Sequence, residues 1–145
     1  MAESKYRKCI ITELAHRTEA PWTPVFKPDE MTRGLFLDSN VLKGAFYVET
    51  GWMLPPFADR KHTEAEAHKH NYDEVLAYFG ADPKNPSKLY AEVEIPIGGE
   101  KYTINKSFIL FIPKGVMHGP LNFRKIERPL FHFACGTGKK YYDED

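Results

Sequence analysis

The stretch His68-Lys69-His70-Asn71-Tyr72-Asp73-Glu74 has the residue types and spacing of half a metal site. Successive side chains of a β-strand point to opposite faces, so His68 and His70 would project side by side, close enough to share one ion. Glu74 follows three turn-compatible residues and opens the apolar run 75–79, which predicts a hairpin that returns its carboxylate to the imidazoles. Two nitrogens and one oxygen suit a divalent first-row metal and leave positions open for water or substrate.

A second stretch, residues 113–122, follows an apolar, strand-like run over residues 108–112. Pro113 fixes its own φ and Gly115 permits a left-handed turn, so His118 is expected just after a turn. Residues 68–80 resemble the first motif of the cupin family, and residues 113–122 resemble the second. The matching residues are His68, His70, Glu74 and Gly80 in the first motif and Pro113, Gly115, His118 and Asn122 in the second.

This resemblance implies an all-β fold, the double-stranded β-helix or jelly-roll barrel of a small single-domain cupin. It also implies that the metal ligands are His68, His70, Glu74 and His118. Such ligands accept iron, manganese, nickel, cobalt or zinc, so the identity of the divalent metal stays open. The chain departs from the family pattern at His62 and Ser107, where glycines are expected, and in its long stretch 81–106 between the motifs. These departures concern turns and loops and leave the ligand positions untouched.

Composition narrows the classes of protein to consider. A chain of 145 residues, 42% of them hydrophobic, predicts one domain with a buried core. Its 20 basic and 20 acidic residues cancel without a basic stripe, which argues against nucleic-acid binding. No apolar run approaches the roughly 18 residues of a membrane span, and the N-terminus lacks the apolar core of a signal peptide, which predicts a cytoplasmic location and no membrane partner. Cys9 and Cys135 have no metal-type spacing, which predicts reduced thiols.

Many short strand-like runs separated by turns, with no amphipathic pattern of helical length, predict an all-β barrel or jelly roll. Residues 1–30 are expected to form an N-terminal arm and residues 136–145 a flexible tail. The resemblance suggests that the arm's strand is exchanged with a partner, which predicts a homodimer. Residues 59–67 are either a loop or one helical turn. Outside the motifs, the predicted strands are 6–14, 31–37, 41–42, 45–50, 89–95, 101–104, 123–126 and 130–135.

Strands 45–50 and 130–135 have faces that the period of two cannot assign. In the second, His132 points opposite to Phe131 and Phe133, and either side can line the cavity. The same ambiguity holds for residues 45–50, where Tyr47 and Glu49 alternate with apolar neighbours.

Tyr78 is the candidate catalytic residue. It shares strand parity with Glu74, so it points inward if Glu74 does. An open divalent ion polarises a carbonyl or hydroxyl group, lowers the pKa of bound water, or binds dioxygen if it is iron. The resemblance therefore implies a dioxygenase, isomerase or lyase acting on a small oxygen-bearing organic acid, ketone or sugar-like compound. The alternative is a non-catalytic small-molecule-binding or sensing cupin, although no helix-turn-helix or other output domain is fused to the chain.

Overall fold

The computed structural model describes residues 4–15 and 19–142. Within them the chain forms nine strands, one α-helix, α1 (Pro55–Asp59), and a 3-10 helix, Arg7–Cys9. The strands are β1 (Met31–Leu37), β2 (Tyr47–Met53), β3 (Thr63–Glu64), β4 (Glu74–Gly80), β5 (Lys88–Ile97), β6 (Glu100–Lys106), β7 (Phe108–Ile112), β8 (Leu121–Ile126) and β9 (Leu130–Gly136). None of the helices among the described residues is long and apolar enough to cross a membrane.

Two antiparallel sheets face each other across one core. The first has the strand order β1-β2-β9-β4-β7 and the second β3-β8-β5-β6. Every second side chain of a strand points into the core between the sheets. In β5, for example, the residues between the buried ones are not buried, and the buried ones are Leu89, Ala91, Val93 and Ile95. The predicted all-β jelly-roll barrel is therefore confirmed.

Burial resolves the two strand faces that alternation left open. His132 is buried between the sheets, whereas Phe131 and Phe133 lie on the outer side of β9. Tyr47 at the start of β2 is also buried, whereas Phe46 is 55% exposed. The polar member of each alternating pair therefore faces the interior, where a barrel with an apolar lining would have placed the phenylalanines.

Six of the strands predicted outside the motifs are confirmed, 31–37 with the predicted bounds and five with shifted ends, and two are wrong. Residues 6–14 contain the 3-10 helix and no strand; Ile10 and Leu14 are exposed, and no described strand pairs with them. Residues 41–42 belong to a turn, because the Asp38 carboxylate accepts hydrogen bonds from the backbone N–H groups of Asn40 and Val41 at 2.8 and 3.1 Å. Local apolar character predicted both strands, but a strand also needs a neighbouring strand with which its backbone can form hydrogen bonds.

The chain ends are described in part. Residues 1–3 and 16–18 of the predicted arm and residues 143–145 of the predicted tail lie outside the described residues. Within the predicted tail, Gly136 ends β9 and Tyr141 is half-buried against the barrel. In the polar segment 59–67, Asp59 ends α1 and the remaining residues form a loop that contains the two-residue strand β3. Cys9 and Cys135 are both free thiols.

Candidate metal centre

Backbone hydrogen bonds join the two motifs. The N–H groups of His68 and His118 each donate to the other's carbonyl oxygen at 2.9 Å, and Gly115 N–H donates to the carbonyl of His70 at 2.9 Å. Gly115 has φ of 80°, the left-handed conformation that its position after Pro113 predicted. Residues 68–70 are therefore held by this isolated bridge to His118 and do not form the regular hairpin strand predicted from the sequence.

The four predicted ligands lie in one buried cluster. One ligating atom from each of them lies within 4.8 Å of all the others, a spacing that suits a shared ion. Glu74 is the first residue of β4, and its carboxylate is 1% exposed. The set consists of His68, His70, Glu74 and His118.

The nitrogen atoms of the cluster fit a cation. Nδ1 of His68 and Nδ1 of His118 lie 2.6 and 3.0 Å from the carbonyl oxygens of Glu66 and Val116. A carbonyl oxygen only accepts, so both Nδ1 atoms carry a proton, and in a neutral ring Nε2 then presents a lone pair. The buried Nε2 atoms of His70 and His118 have no hydrogen-bond partner. Orphaned buried nitrogens are costly, and a divalent ion would satisfy them.

Glu74 supplies the negative charge. Its carboxylate oxygens lie 3.3 and 3.4 Å from Nε2 of His118 and His70, and it accepts a hydrogen bond from the Tyr47 hydroxyl at 2.6 Å. Burial alone would raise the pKa of this carboxyl, but His118, His70 and Tyr47 outweigh burial and lower the pKa to about 2. Burial also lowers the pKa of His68 to about 4. At neutral pH the Glu74 carboxylate is therefore ionised and the His68 imidazole is neutral, as metal binding requires.

Aromatic rings from distant parts of the chain cover the cluster. Trp22 stacks on His68 with ring centroids 4.6 Å apart, and its indole N–H donates to the Tyr141 hydroxyl at 2.9 Å. That hydroxyl lies 3.3 Å from Nε2 of His68. Tyr72 stacks on His70 at 4.7 Å. An ion bound at Nε2 of His68 would therefore take the place of the Tyr141 hydrogen bond.

A cavity of about 370 Å³ adjoins this cluster inside the barrel. Tyr47 and Tyr141 line it, and their hydroxyl groups contact Glu74 and His68 on the other side. Its size suits a small organic molecule. The polar and charged lining residues are Glu19, Thr23, Arg33, Asp38, Asn40, Glu49, Glu64, His132 and Lys140.

Tyr78 points inward, as its parity with Glu74 predicted, but its position is deep. It is fully buried, its hydroxyl donates to the Glu64 carboxylate, and its ring stacks on His132 at 4.3 Å. The described residues that line the cavity include Glu64 and His132 but not Tyr78. Its hydroxyl therefore reaches the cavity through Glu64.

Sequence reasoning missed Trp22, Glu64 and Tyr141 as parts of the site, and it left open whether Tyr47 faces the cavity. Glu64 lies in the segment 59–67, which was predicted as a loop or one helical turn, yet its side chain is only 14% exposed. The two residues that depart from the family pattern take other roles. His62 lies 2.7 Å from the Glu30 carboxylate, and the Ser107 hydroxyl accepts a hydrogen bond from the N–H of Gly80 at 3.1 Å.

No family model matches this chain, and no curated protein sequence matches it. Among solved structures, an oxalate oxidase in complex with the substrate analogue glycolate is 15% identical, with 97% of this chain and 64% of that chain covered and a TM-score of 0.56. Peruvianin-I, a cysteine peptidase from Thevetia peruviana latex, is 9% identical, with 81% and 68% covered and a TM-score of 0.51. An RmlC-like cupin from Shewanella frigidimarina is 12% identical, with 86% and 93% covered and a TM-score of 0.48.

The chain spans less than two thirds of the length of the oxalate oxidase chains that it resembles. Likenesses at such low identity concern the fold, and activity differs widely among proteins of one fold. The two-sheet barrel and the gathering of the motif residues in one cluster agree with these likenesses. These likenesses show the fold: the chain forms a two-sheet barrel similar to that of the oxalate oxidase, with a buried cluster of three histidines and one glutamate at the positions where its motifs resemble the cupin motifs.

Proposed function

We propose that the protein is a metal-dependent enzyme that acts on a small oxygen-bearing organic substrate, as a dioxygenase, isomerase or lyase. The observation that carries the proposal is the convergence of three buried imidazoles and one carboxylate beside a cavity of about 370 Å³, with Nε2 of His70 and His118 unpaired. A merely structural histidine cluster would have these nitrogens hydrogen-bonded within the protein.

In this proposal, four residues bind the ion and three others orient their side chains. His68, His70, Glu74 and His118 would hold the ion, while Tyr47 fixes the Glu74 carboxylate and Trp22 and Tyr72 fix imidazole rings by stacking. A divalent ion bound there would supply a Lewis acid that polarises a substrate oxygen. The adjoining cavity would hold the rest of the substrate, with the hydroxyl groups of Tyr47 and Tyr141 at the boundary.

Tyr78, the candidate catalytic residue, would act through Glu64 in this scheme. Its hydroxyl donates to Glu64, which lines the cavity, so Tyr78 sets the position of a carboxylate that can touch the substrate. We therefore propose a positioning role for Tyr78.

The experiment combines elemental analysis with turnover. Protein purified without added metal is analysed for iron, manganese, nickel, cobalt and zinc, and then screened against small organic acids, ketones and sugars with and without oxygen. Stoichiometric metal with oxygen-dependent turnover would identify a dioxygenase, and oxygen-independent turnover an isomerase or lyase. Metal with ligand-induced stabilisation but no turnover would favour the non-catalytic binding protein, and absence of any affinity for these metals would overturn the proposal.

We also propose a homodimer that forms through the edge strand β7. This strand ends the five-stranded sheet, and Ile109 and Phe111 on it are 65% and 58% exposed. An exposed apolar edge pairs readily with another strand, and a second copy of β7 would continue the sheet. Sedimentation should give a dimer for the wild type and a monomer for Ile109→Lys, whereas an unchanged mass would contradict the use of this edge.

A further inference from the structure

A second polar group lies inside the barrel, apart from the metal cluster. Oε1 of Glu64 is 3.6 Å from Nε2 of His132, and the other carboxylate oxygen accepts the Tyr78 hydroxyl. His132 is 2% exposed. Glu64 and His132 both line the cavity, so whatever fills the cavity meets this pair.

The tautomer of His132 follows from its other nitrogen. Nδ1 lies 3.0 Å from the carbonyl oxygen of Ala77, which only accepts, so Nδ1 carries a proton. In the neutral ring, Nε2 is then an acceptor next to Oε1 of Glu64. Their separation of 3.6 Å is too long for a direct hydrogen bond. Two neighbouring acceptors at this spacing suit two hydroxyl groups on adjacent carbon atoms.

Charge on the cavity wall disfavours an anionic ligand. The lining contains four acidic residues, Glu19, Asp38, Glu49 and Glu64, and two basic ones, Arg33 and Lys140. Carboxylates already hold Arg33, with Glu19 at 3.1 Å and Glu49 at 3.8 Å. A carboxylate on a ligand would therefore meet an excess of like charge in a partly desolvated space, where repulsion is stronger than in water.

We propose that the cavity takes a small uncharged polyhydroxylated molecule and binds two neighbouring hydroxyl groups of it at Glu64 and His132. Tyr78 orients the carboxylate by hydrogen bonding, and the phenol rings of Tyr47 and Tyr141 form apolar walls beside the carbon skeleton. This inference rests on the proposed function for one point: the same molecule would present another oxygen towards the metal cluster.

The test uses a matched pair of probes, sorbitol and gluconate, which differ by one terminal group, CH2OH against a carboxylate. Ligand-observed NMR with the full-length protein, loaded with metal and freed of it, gives the affinity for each. The structure predicts that wild type binds sorbitol more tightly than gluconate in both forms. Glu64→Gln keeps the size and an oxygen that can accept the Tyr78 hydrogen bond, and should weaken sorbitol binding about tenfold and reduce the discrimination against gluconate.

A second variant, His132→Phe, keeps a ring and removes the acceptor Nε2 without removing a negative charge, so it should weaken sorbitol binding without restoring gluconate binding. The control is Glu100→Gln, a fully surface carboxylate on β6, which should change neither affinity. Gluconate binding as tight as sorbitol, no sorbitol binding at millimolar concentration, or an unchanged preference in both variants would overturn the inference. Metal content of the same samples is independent of these outcomes, so failure here is distinct from failure of the proposed metal site.

Discussion

Two groups of histidine and carboxylate side chains share one barrel, and they differ in how their polar atoms are satisfied. In the metal cluster, Nε2 of His70 and His118 lacks any hydrogen-bond partner. In the second group, Tyr78 donates to Glu64 and His132 bonds to the carbonyl of Ala77. The first group therefore has buried nitrogens that a bound ion would satisfy, whereas the second is largely hydrogen-bonded within the protein and presents its remaining acceptors to the cavity.

The contrast lies in the backbone as well as in the side chains. Hydrogen bonds between the two motifs fix the metal cluster, and His68 and His118 are further oriented by carbonyl groups two residues away. Glu64, in contrast, stands on the two-residue strand β3 and is positioned by side chains of β4 and β9. Backbone hydrogen bonds between the two motifs position the first group, and side-chain packing between the sheets positions the second.

The largest effect should come from His70→Ala. Loss of one of four ligands should lower metal affinity at least about a hundredfold, because even residues that merely orient ligands contribute 10- to 100-fold. Equilibrium dialysis with elemental analysis measures this. His132→Gln, which alters the other group, should retain full metal content. Stoichiometric tight binding by His70→Ala would show that the four side chains do not act as one unit.

Tyr47→Phe should give the next largest effect. It removes the hydroxyl that donates to Glu74 at 2.6 Å, and loss of such an orienting bond typically lowers metal affinity by about 10- to 100-fold. Competition against a chelator of known affinity gives the change. Tyr102→Phe is a matched control, because the exposed Tyr102 hydroxyl donates to Glu100 at 2.7 Å far from the cluster. Equal affinity in the wild type and Tyr47→Phe would separate Tyr47 from the metal site.

Tyr78→Phe should leave metal content unchanged, because its hydroxyl contacts Glu64 and no metal ligand. Removing a buried hydrogen bond to a carboxylate should lower the free energy of unfolding by about 1 to 3 kcal/mol. Turnover should fall through the misplaced Glu64, seen as a lower kcat for the substrate that a screen identifies. Urea unfolding, elemental analysis and steady-state kinetics measure the three quantities. Reduced metal content would mean that the two groups are coupled.

The smallest effect concerns the metal-free protein in acid. Burial lowers the pKa of folded His68 to about 4, while the unfolded side chain keeps its ordinary value of 6.5. Between these values the unfolded state binds a proton that the folded state does not, so stability falls as the pH drops from about 6.5 towards 4. Urea unfolding across this range should show a shallower pH dependence for His68→Asn than for the wild type. An equal pH dependence in His68→Asn and the wild type would contradict a lowered pKa at His68.

Much of the fold and of the metal cluster could be predicted from the sequence, because both depend on short-range patterns. The period of two and the turn residues predicted most strands, and the resemblance to the two cupin motifs predicted which four side chains meet. The same local signals failed at residues 6–14 and 41–42, since an apolar run forms a strand only beside a partner.

The order of residues in the chain by itself thus determined which four side chains meet in the cluster and the all-β architecture. Three-dimensional packing alone decided the rest: that Trp22 and Tyr141, 119 residues apart, hydrogen-bond over the cluster, and that Glu64 meets His132. Packing also decided which faces of β2 and β9 point inward. Contacts of this kind depend on the register and order of strands in a sheet, where a shift by one residue exchanges the two faces of a strand, and no local pattern specifies them.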